Sequence, residues 1–193
     1  MYLHYLGPFG SILPKKIMIL GCAGSGKTTL AFELQTIVNL PLYHLDQYYW
    51  RPQWERIAWD QFCVIHADLC HREQWIIEGS YTSTLTERVN CSDLIIFLDI
   101  PRYLCLWRVL KRAIFNFGAV LPGSPAQCKQ RVLSLKFLVF LKWLWNFKSR
   151  SRVIILNILE DVTEAEVVYL KTTKEVEKFI NELRILYKQR RGA

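Results

Sequence analysis

The sequence has no long uninterrupted apolar segment. No stretch of about 18 uncharged apolar residues occurs, and a helix that spans a bilayer needs at least that many. Hydrophobic residues nevertheless make up 51% of the 193 positions, so a substantial core can be buried. We therefore expect no transmembrane segment and one α/β domain, since the length is too short for two comfortable domains.

The sequence also lacks the commonest cysteine spacings. Its six cysteines include no C-x-x-C pair, and the start of the chain shows no signal-peptide pattern. We expect six reduced thiols in a cytoplasmic protein. Cys63, His66 and Cys70 would share one helix face, but no fourth ligand is evident, so a zinc site is not predicted there.

Acidic residues are absent from residue 102 to residue 152, a stretch that we call the basic region. It holds eleven Lys and Arg, whereas the whole chain has a net charge of +8, so the remainder of the chain is net negative. Solvated helices usually mix both signs. A run of cations without acidic partners indicates an external anion, either a phosphate-bearing ligand or nucleic acid.

Part of the basic region is also rich in aromatic residues. The segment 132–147 (VLSLKFLVFLKWLWNF) interleaves tryptophans and lysines with aliphatic side chains. This pattern is typical of an amphipathic lid or core helix. It leaves open a contact with a membrane surface or a partner protein.

Apolar runs and helical spacing alternate along the chain, which predicts a parallel sheet covered on both faces. Residues 1–14 carry two Gly and two Pro without periodicity, and we expect an irregular arm there, ahead of a single domain at 15–193. The expected strands are 15–20, 40–45, 74–77, 94–100 and 167–170. The expected helices are 27–38, 59–71, 103–117 and 174–188.

A phosphate-binding loop is the clearest motif in the chain. Residues 21–28 (GCAGSGKT) fit G-x-x-x-x-G-K-[ST] in full, and they lie between an apolar strand and a helix. Glycines let backbone N–H groups point inward around an anion, and the helix N-terminus adds a partial positive charge. The expected nucleotide-binding residues are Gly21, Gly24, Ser25, Gly26, Lys27, Thr28 and Thr29.

Two residues of this loop have more specific expected roles. Lys27 is expected to reach the β- and γ-phosphates of ATP, and Thr28 to offer its hydroxyl to Mg²⁺. The metal also needs an acidic residue at a strand end. Both Glu78, which ends QWIIE, and Asp99, which ends LIIFLD, meet that requirement. The residue pattern alone leaves both open.

Asp46 follows the second expected strand, at the carboxyl edge where ligands bind in open α/β sheets. A carboxylate at this edge is placed to contact a bound ligand. It is also placed to be a turn or helix-cap residue. Nearby aromatic residues either stack on a flat substrate or cover the sheet edge as core; these are Tyr48, Tyr49, Trp50 and Trp54.

Five stretches of the chain resemble the small P-loop NTPases related to adenylate kinase, in particular the group called DNA topology modulation protein (FlaR-like). They are KIMILGCAGSGKTTLA, LPLYHLDQYYW, WIIEGSYTSTLTER, DLIIFLDIPRYLCLWRVLKR and LKWLWNFKSRSR, and together they span about residues 15–185. Where that group has Asp-Gly-Asn-Tyr, residues 78–81 here are EGSY, so the acid is one methylene longer.

The resemblance implies a three-layer P-loop NTPase fold with a five-stranded parallel sheet of order 2-3-1-4-5. In that order Glu78, rather than Asp99, falls near the magnesium ion. The basic region becomes a helical lid that closes over the phosphates. Arg108 and Arg112 are then the leading lid arginines, and Arg150 and Arg152 follow at its far end.

One departure from adenylate kinases bears on the acceptor. Those enzymes follow the acid of strand three with Gly-Phe-Pro-Arg, whose Arg grips the acceptor phosphate. Residues 80–82 provide no Arg here, and Arg88 lies seven residues beyond Tyr81. The end of the second strand instead resembles uridine kinases, in which Asp-x-x-Tyr holds a hydroxyl acceptor. A hydroxyl-bearing or nucleoside-like acceptor is therefore favoured.

The resulting expectation is a phosphotransferase that uses ATP and Mg²⁺ and acts on a small-molecule acceptor. Its expected catalytic residues are Lys27, Asp46, Arg108 and Arg112, and its expected metal-binding residues are Thr28 and Glu78. The family name leaves an alternative open, a nucleic-acid-associated regulator that uses nucleotide binding as a switch. The basic region would then contact a DNA backbone, although no helix-turn-helix or zinc-finger pattern occurs.

Overall fold

The computed structural model of the protein describes residues 13–129 and 134–191. Of the arm expected at 1–14, all but Leu13 and Pro14 lie outside the described residues. The strands are β1 (Lys16–Gly21), β2 (Leu42–His44), β3 (Trp50–Arg51), β4 (Glu55–Arg56), β5 (Trp75–Glu78), β6 (Leu94–Leu98) and β7 (Glu166–Leu170). The helices are α1 (Lys27–Val38), α2 (Leu45–Tyr49), α3 (Trp59–His71), α4 (Leu85–Asn90), α5 (Arg102–Phe115), α6 (Leu135–Asn146), α7 (Ser151–Glu160) and α8 (Thr173–Arg191), with short 3₁₀ turns at Pro52–Trp54, Thr82–Thr84 and Phe147–Ser149.

Five parallel strands form one sheet in the order β2-β5-β1-β6-β7, and the expected α/β fold class is confirmed. The strands β3 and β4 form a separate antiparallel hairpin that the sequence did not predict, which changes the strand numbering. Without the hairpin, the five sheet strands read 2-3-1-4-5. The central strands β1, β5 and β6 are apolar almost throughout and buried along nearly their whole length, as expected for a sheet covered on both faces.

Two side chains from distant parts of the sequence hold the ends of β1. The Asp93 carboxylate accepts hydrogen bonds from the backbone N–H groups of Lys15 and Lys16, at 2.8 Å each. At the other end, the Ser80 hydroxyl donates to the carbonyl of Gly21 at 2.7 Å and accepts from its N–H at 3.0 Å. The strand that carries the phosphate-binding loop is therefore fixed at both ends.

The basic region begins with a helix that belongs to the core. The inner face of α5 is buried through Cys105, Val109 and Ala113, and α5 packs against α6. Ser134 caps α6 by accepting a hydrogen bond from the N–H of Phe137 at 3.1 Å. Of the expected amphipathic segment 132–147, the first two residues lie outside the described residues, as does Arg131.

Two expectations about the whole chain can be compared with the structure. Among the described residues, no helix combines the length and apolar content that crossing a bilayer requires. All six cysteines are free thiols. The second finding agrees with the reduced state that the cysteine spacing indicates.

Candidate active site

The loop between β1 and α1 has a shape that its glycines make possible. Gly24 has φ +79°, and a Cβ there would lie 2.4 Å from the carbonyl oxygen of Cys105, so α5 directly backs the loop. Gly26 has φ +102°, and a Cβ there would meet nothing closer than Nη1 of Arg108 at 4.0 Å. The space beside Gly26 is therefore open, at the N-terminus of α1, where an anion is favoured.

Lys27 and Thr28 both contact the side chain of Glu78. The ammonium group of Lys27 lies 3.8 Å from Oε1 of Glu78 and donates a hydrogen bond to the carbonyl of Cys22 at 3.2 Å. The hydroxyl of Thr28 donates to Oε2 of Glu78 at 3.3 Å. The expected phosphate-binding lysine, the expected metal-binding hydroxyl and one of the two candidate acids are thus in one cluster.

His44 completes this cluster from the end of β2. Its Nδ1 lies 2.8 Å from Oε2 of Glu78, and its ring packs against Phe32 with the centroids 5.2 Å apart. Burial alone would raise the pKa of Glu78, but the hydrogen bond with His44 and the charge of Lys27 together lower it below its ordinary value. Glu78 is therefore held as a carboxylate.

The oxygen atoms of Thr28 and Glu78 suit Mg²⁺, which prefers hard oxygen ligands. Within residues 13–129 and 134–191, no group of three or more His, Cys, Asp or Glu side chains could hold a metal ion. A kinase magnesium site needs only one or two protein oxygens, because substrate phosphates and water complete its coordination shell.

Asp99, the other candidate acid, is engaged elsewhere. Arg152 donates two parallel hydrogen bonds to its carboxylate, from Nε and Nη2, both at 2.7 Å. Such a bidentate pair is strong and geometrically specific. Arg152, which the resemblance placed among the lid arginines, therefore contacts Asp99 in this structure, while the Arg150 side chain is exposed.

Asp46 lies in the first turn of α2, next to the strand end that carries Glu78. The hydroxyl of Tyr81 donates a hydrogen bond to Oδ1 of Asp46 at 2.6 Å. The Asp46 side chain is exposed to solvent, yet nearby protein atoms partly desolvate its carboxylate and raise its pKa above the ordinary value. The hydrogen bond from Tyr81 acts in the opposite direction and lowers that pKa. The negative charge of Glu78 contributes to the same rise.

The two expected lid arginines, Arg108 and Arg112, lie four residues apart on α5 and therefore on the same side of the helix. Arg108 donates to the carbonyl of Ser25 at 3.3 Å and to the hydroxyl of Thr173 at 2.9 Å. Desolvation lowers the pKa of Arg112, while the charges of Asp46 and Glu78 oppose that change. Among the described residues, Nε of Arg112 has no hydrogen-bond partner. Their catalytic role stays a prediction.

The aromatic residues near Asp46 form a packed cluster. The ring of Tyr49 makes edge contacts with Trp50, Phe62 and Tyr81, each with centroids 5.0 Å apart. Tyr49 thus covers the sheet edge and supports Tyr81. Trp54 instead donates from Nε1 to the carbonyl of Lys129 at 3.1 Å, which connects the β3–β4 hairpin to the basic region.

Sequence patterns do not identify two residues near the site. A single histidine such as His44 carries little signal, although it stands two positions before Asp46 at a strand end. The sequence marks Arg88 only as the nearest arginine after Tyr81. It is fully buried, its Nη2 donates to the carbonyl of Tyr81 at 3.3 Å, and burial lowers its pKa to about 10.

No family model matches the chain. A curated relative, "Uncharacterized protein YqaC" from Bacillus subtilis, is 32% identical over 117 residues. The match covers 58% of this chain, and the chain spans 65% of that relative's length. Neither result assigns the chain to a family.

Solved kinases share the fold. A shikimate kinase from Aquifex aeolicus has a TM-score of 0.53 at 18% identity, covering 90% of this chain and 96% of that one. A putative kinase from Chloroflexus aurantiacus has a TM-score of 0.52 at 21% identity, covering 91% and 97%. The chain therefore has a P-loop kinase-like fold. These similarities give no support to the DNA topology modulation group specifically, to adenylate kinase-like specificity or to a nucleic-acid partner.

Proposed function

We propose that the chain is a P-loop kinase that transfers the γ-phosphoryl group of Mg-ATP to a hydroxyl group of a small molecule. The main support is the separation of two carboxylates at neighbouring strand ends. Glu78 contacts Lys27 and Thr28, at 3.8 Å and 3.3 Å, whereas Asp46 is held by Tyr81 at 2.6 Å. Glu78 would then serve the nucleotide and its metal ion, and Asp46 would serve the acceptor.

On the nucleotide side, the backbone N–H groups of the loop would bind the phosphates, helped by the N-terminus of α1. Lys27, which pairs with Glu78, would turn to the β- and γ-phosphates. Thr28 and Glu78 would hold Mg²⁺, directly or through water, and the ion would neutralise charge that develops on the transferred group. Arg108, at the edge of the open space beside Gly26, would add a second positive charge.

On the acceptor side, Asp46 would accept the proton of the attacking hydroxyl. A carboxylate is a weak base at neutral pH, but a loose transition state lets the proton leave late. The raised pKa of Asp46 makes it a somewhat stronger base. The charges of Asp46 and Glu78 both act on Arg112, which supports the proposal that Arg112 would stabilise charge between the two substrates.

Arg88 helps to choose the class of acceptor. A nucleoside monophosphate acceptor needs an accessible cation for its phosphate, and residues 80–82 supply none. Arg88 is fully buried behind Tyr81, where it supports the backbone rather than offering its guanidinium group to the cleft. This placement favours a hydroxyl-bearing acceptor without a phosphate, such as a nucleoside or a sugar.

A phosphoryl-transfer screen tests the proposal. Nucleosides, nucleoside monophosphates and sugars are incubated with Mg-ATP, and ADP release and product mass are measured. Transfer to a hydroxyl compound is expected, and Asp46→Asn should lower that transfer by about 10²- to 10⁴-fold while leaving slow ATP hydrolysis nearly intact. Asp60→Asn, which changes an exposed acid in the first turn of α3, is the matched control and should change neither rate.

The same variant separates the two carboxylate roles. If Asp46→Asn loses ATP hydrolysis and magnesium dependence together, Asp46 belongs to the metal site and the hydroxyl-acceptor assignment is wrong. Absence of transfer to every compound, with hydrolysis retained in the wild type, would argue against a small-molecule kinase.

A further inference from the structure

The outer face of α5 is apolar and exposed. Tyr103, Trp107 and Ile114 are 71%, 55% and 64% accessible, and Leu110 lies between them. Their spacing of four, three and four residues places them on one stripe of the helix. The opposite stripe, Cys105, Val109 and Ala113, is buried in the core, whereas the outer stripe is largely open to solvent in the part of the chain that the structure describes.

The outer face of α6 has the same character. Leu135, Leu138 and Val139 are 78%, 61% and 62% accessible. The exposed Lys142 and the half-exposed Trp145 continue the stripe at helical spacing. We call the two stripes together the α5–α6 face. Several large apolar side chains exposed on two helices that pack together are typical of an interaction site.

Cations lie among the apolar side chains of the α5–α6 face. The guanidinium group of Arg102, at the start of α5, lies over the ring of Trp145 at 4.3 Å and joins the two helices. The ammonium group of Lys111 lies 5.0 Å from the centre of the Trp107 ring. No acidic residue occurs from 102 to 152, so every charged side chain that α5 and α6 contribute to the face is positive.

We propose that the α5–α6 face binds the surface of an anionic lipid bilayer. Its aromatic and aliphatic side chains would enter the boundary between headgroups and acyl chains, and its lysines would contact anionic headgroups. A second copy of the face would oppose like charges, which disfavours self-association. A nucleic-acid backbone would satisfy the cations but leave the aliphatic side chains of Leu138 and Val139 without apolar contacts.

Co-sedimentation of the full chain with lipid vesicles tests the proposal. We expect binding to phosphatidylcholine vesicles that contain about a third phosphatidylglycerol, and little binding to phosphatidylcholine alone. Lys136 is exposed in the first turn of α6, beside the face. Lys136→Gln and Lys142→Gln should each weaken binding roughly fivefold, since one lysine near an anionic surface contributes about that factor. Leu138→Asn with Val139→Asn should weaken it at least as much, because two apolar side chains leave the interface.

Matched variants on other helices serve as controls. Val64→Asn changes a side chain that is 71% exposed on α3, and Lys188→Gln removes an exposed charge from α8. Both should bind vesicles like the wild type. All the tested positions are exposed and lie outside the proposed catalytic site, so circular dichroism and ADP binding should match the wild type in every variant.

Three results would overturn the proposal. The first is failure of the wild type to bind anionic vesicles. The second is binding that the α5–α6 variants and the control variants weaken equally. The third is a dimer, measured by sedimentation, that Leu138→Asn with Val139→Asn dissociates, since the face would then be an interface between two copies. Kinase activity plays no part in these readouts, so they stand or fall independently of the proposed function.

Discussion

Replacing Glu78 by Gln should change nucleotide binding in two opposite directions. Glu78 lies 3.8 Å from the ammonium group of Lys27, and two unit charges at that distance attract by about 4 kcal/mol at an effective dielectric constant of 20. Burial of the carboxylate offsets much of that attraction. In the proposed function, Glu78 would compete with the phosphates for Lys27, and its replacement would free the lysine.

In the absence of Mg²⁺, Glu78→Gln should therefore bind ADP more tightly than the wild type. We expect the free energy of ADP binding to improve by about 1–2 kcal/mol, which is about 5- to 30-fold in affinity. This is the part of the attraction between Glu78 and Lys27 that the cost of burying the carboxylate does not offset. Addition of Mg²⁺ should raise the ADP affinity of the variant about 10- to 100-fold less than it raises that of the wild type. The reason is that the ion loses either a ligand or the group that orients its bound water.

Calorimetric titration of ADP, with EDTA and then with Mg²⁺, measures both effects. Asp99→Asn is the matched control, because Asp99 is the other strand-end acid and pairs with Arg152. It should reduce stability but leave both ADP affinities unchanged. If Asp99→Asn loses the magnesium effect while Glu78→Gln keeps it, the assignment of the metal-site acid is wrong. A parallel fall in both affinities for Glu78→Gln would indicate structural damage and refute the competition argument.

The same variant predicts a change in acid stability. The pKa of Glu78 is lower in the folded protein than its ordinary value, so the carboxylate stabilises the fold at neutral pH and loses this contribution as the pH falls through the lowered pKa. Urea unfolding should therefore separate Glu78→Gln from the wild type at pH 7 and bring the two closer together at acid pH. An equal difference at both pH values would contradict this.

Two further predictions concern the phosphate site. Lys27→Ala should abolish measurable ATP binding by calorimetry with an unchanged circular dichroism spectrum, and wild-type affinity would contradict the assignment of the loop. Arg108→Ala and Arg112→Ala should each lower kcat by about 10²-fold, comparable to the loss of one electrostatic donor, while ADP affinity changes less. Arg150→Ala, at an exposed position, is the control, and wild-type turnover in both α5 variants would assign the basic region another role.

Local signals predicted much of the fold. The bounds of α1 and α3 are the expected ones, because both helices have a clear apolar periodicity over three turns. The loop motif placed Lys27 and Thr28 correctly at the start of α1, since its shape depends on residues that are adjacent in sequence. Most ends of the sheet strands differ from the expected ends by one or two residues, because the apolar pattern of a strand does not mark the residue at which the strand begins or ends.

Contacts between distant residues were beyond the reach of pattern analysis. The pair of Asp99 and Arg152 joins residues 53 positions apart, and His44 meets Glu78 across 34 positions. The β3–β4 hairpin was missed because each strand has only two residues. Its turn also places Gln53 and Trp54 at positive φ, a conformation that sequence rules assign to glycine or asparagine.

The attachments of β1 have a consequence for the order in which the protein is assembled during synthesis. The phosphate-binding loop leaves the ribosome before the residues that hold β1, since Ser80 comes 59 residues after Gly21 and Asp93 comes 78 residues after Lys15. The loop also packs at Gly24 against the backbone of Cys105 on α5, and this residue is synthesised later still. Contacts of such long sequence separation form slowly, because closing the intervening chain costs entropy. We therefore expect nascent chains that expose only the first half of the sequence to hold an incomplete nucleotide site, and the capacity to bind ATP to arise when α5 emerges.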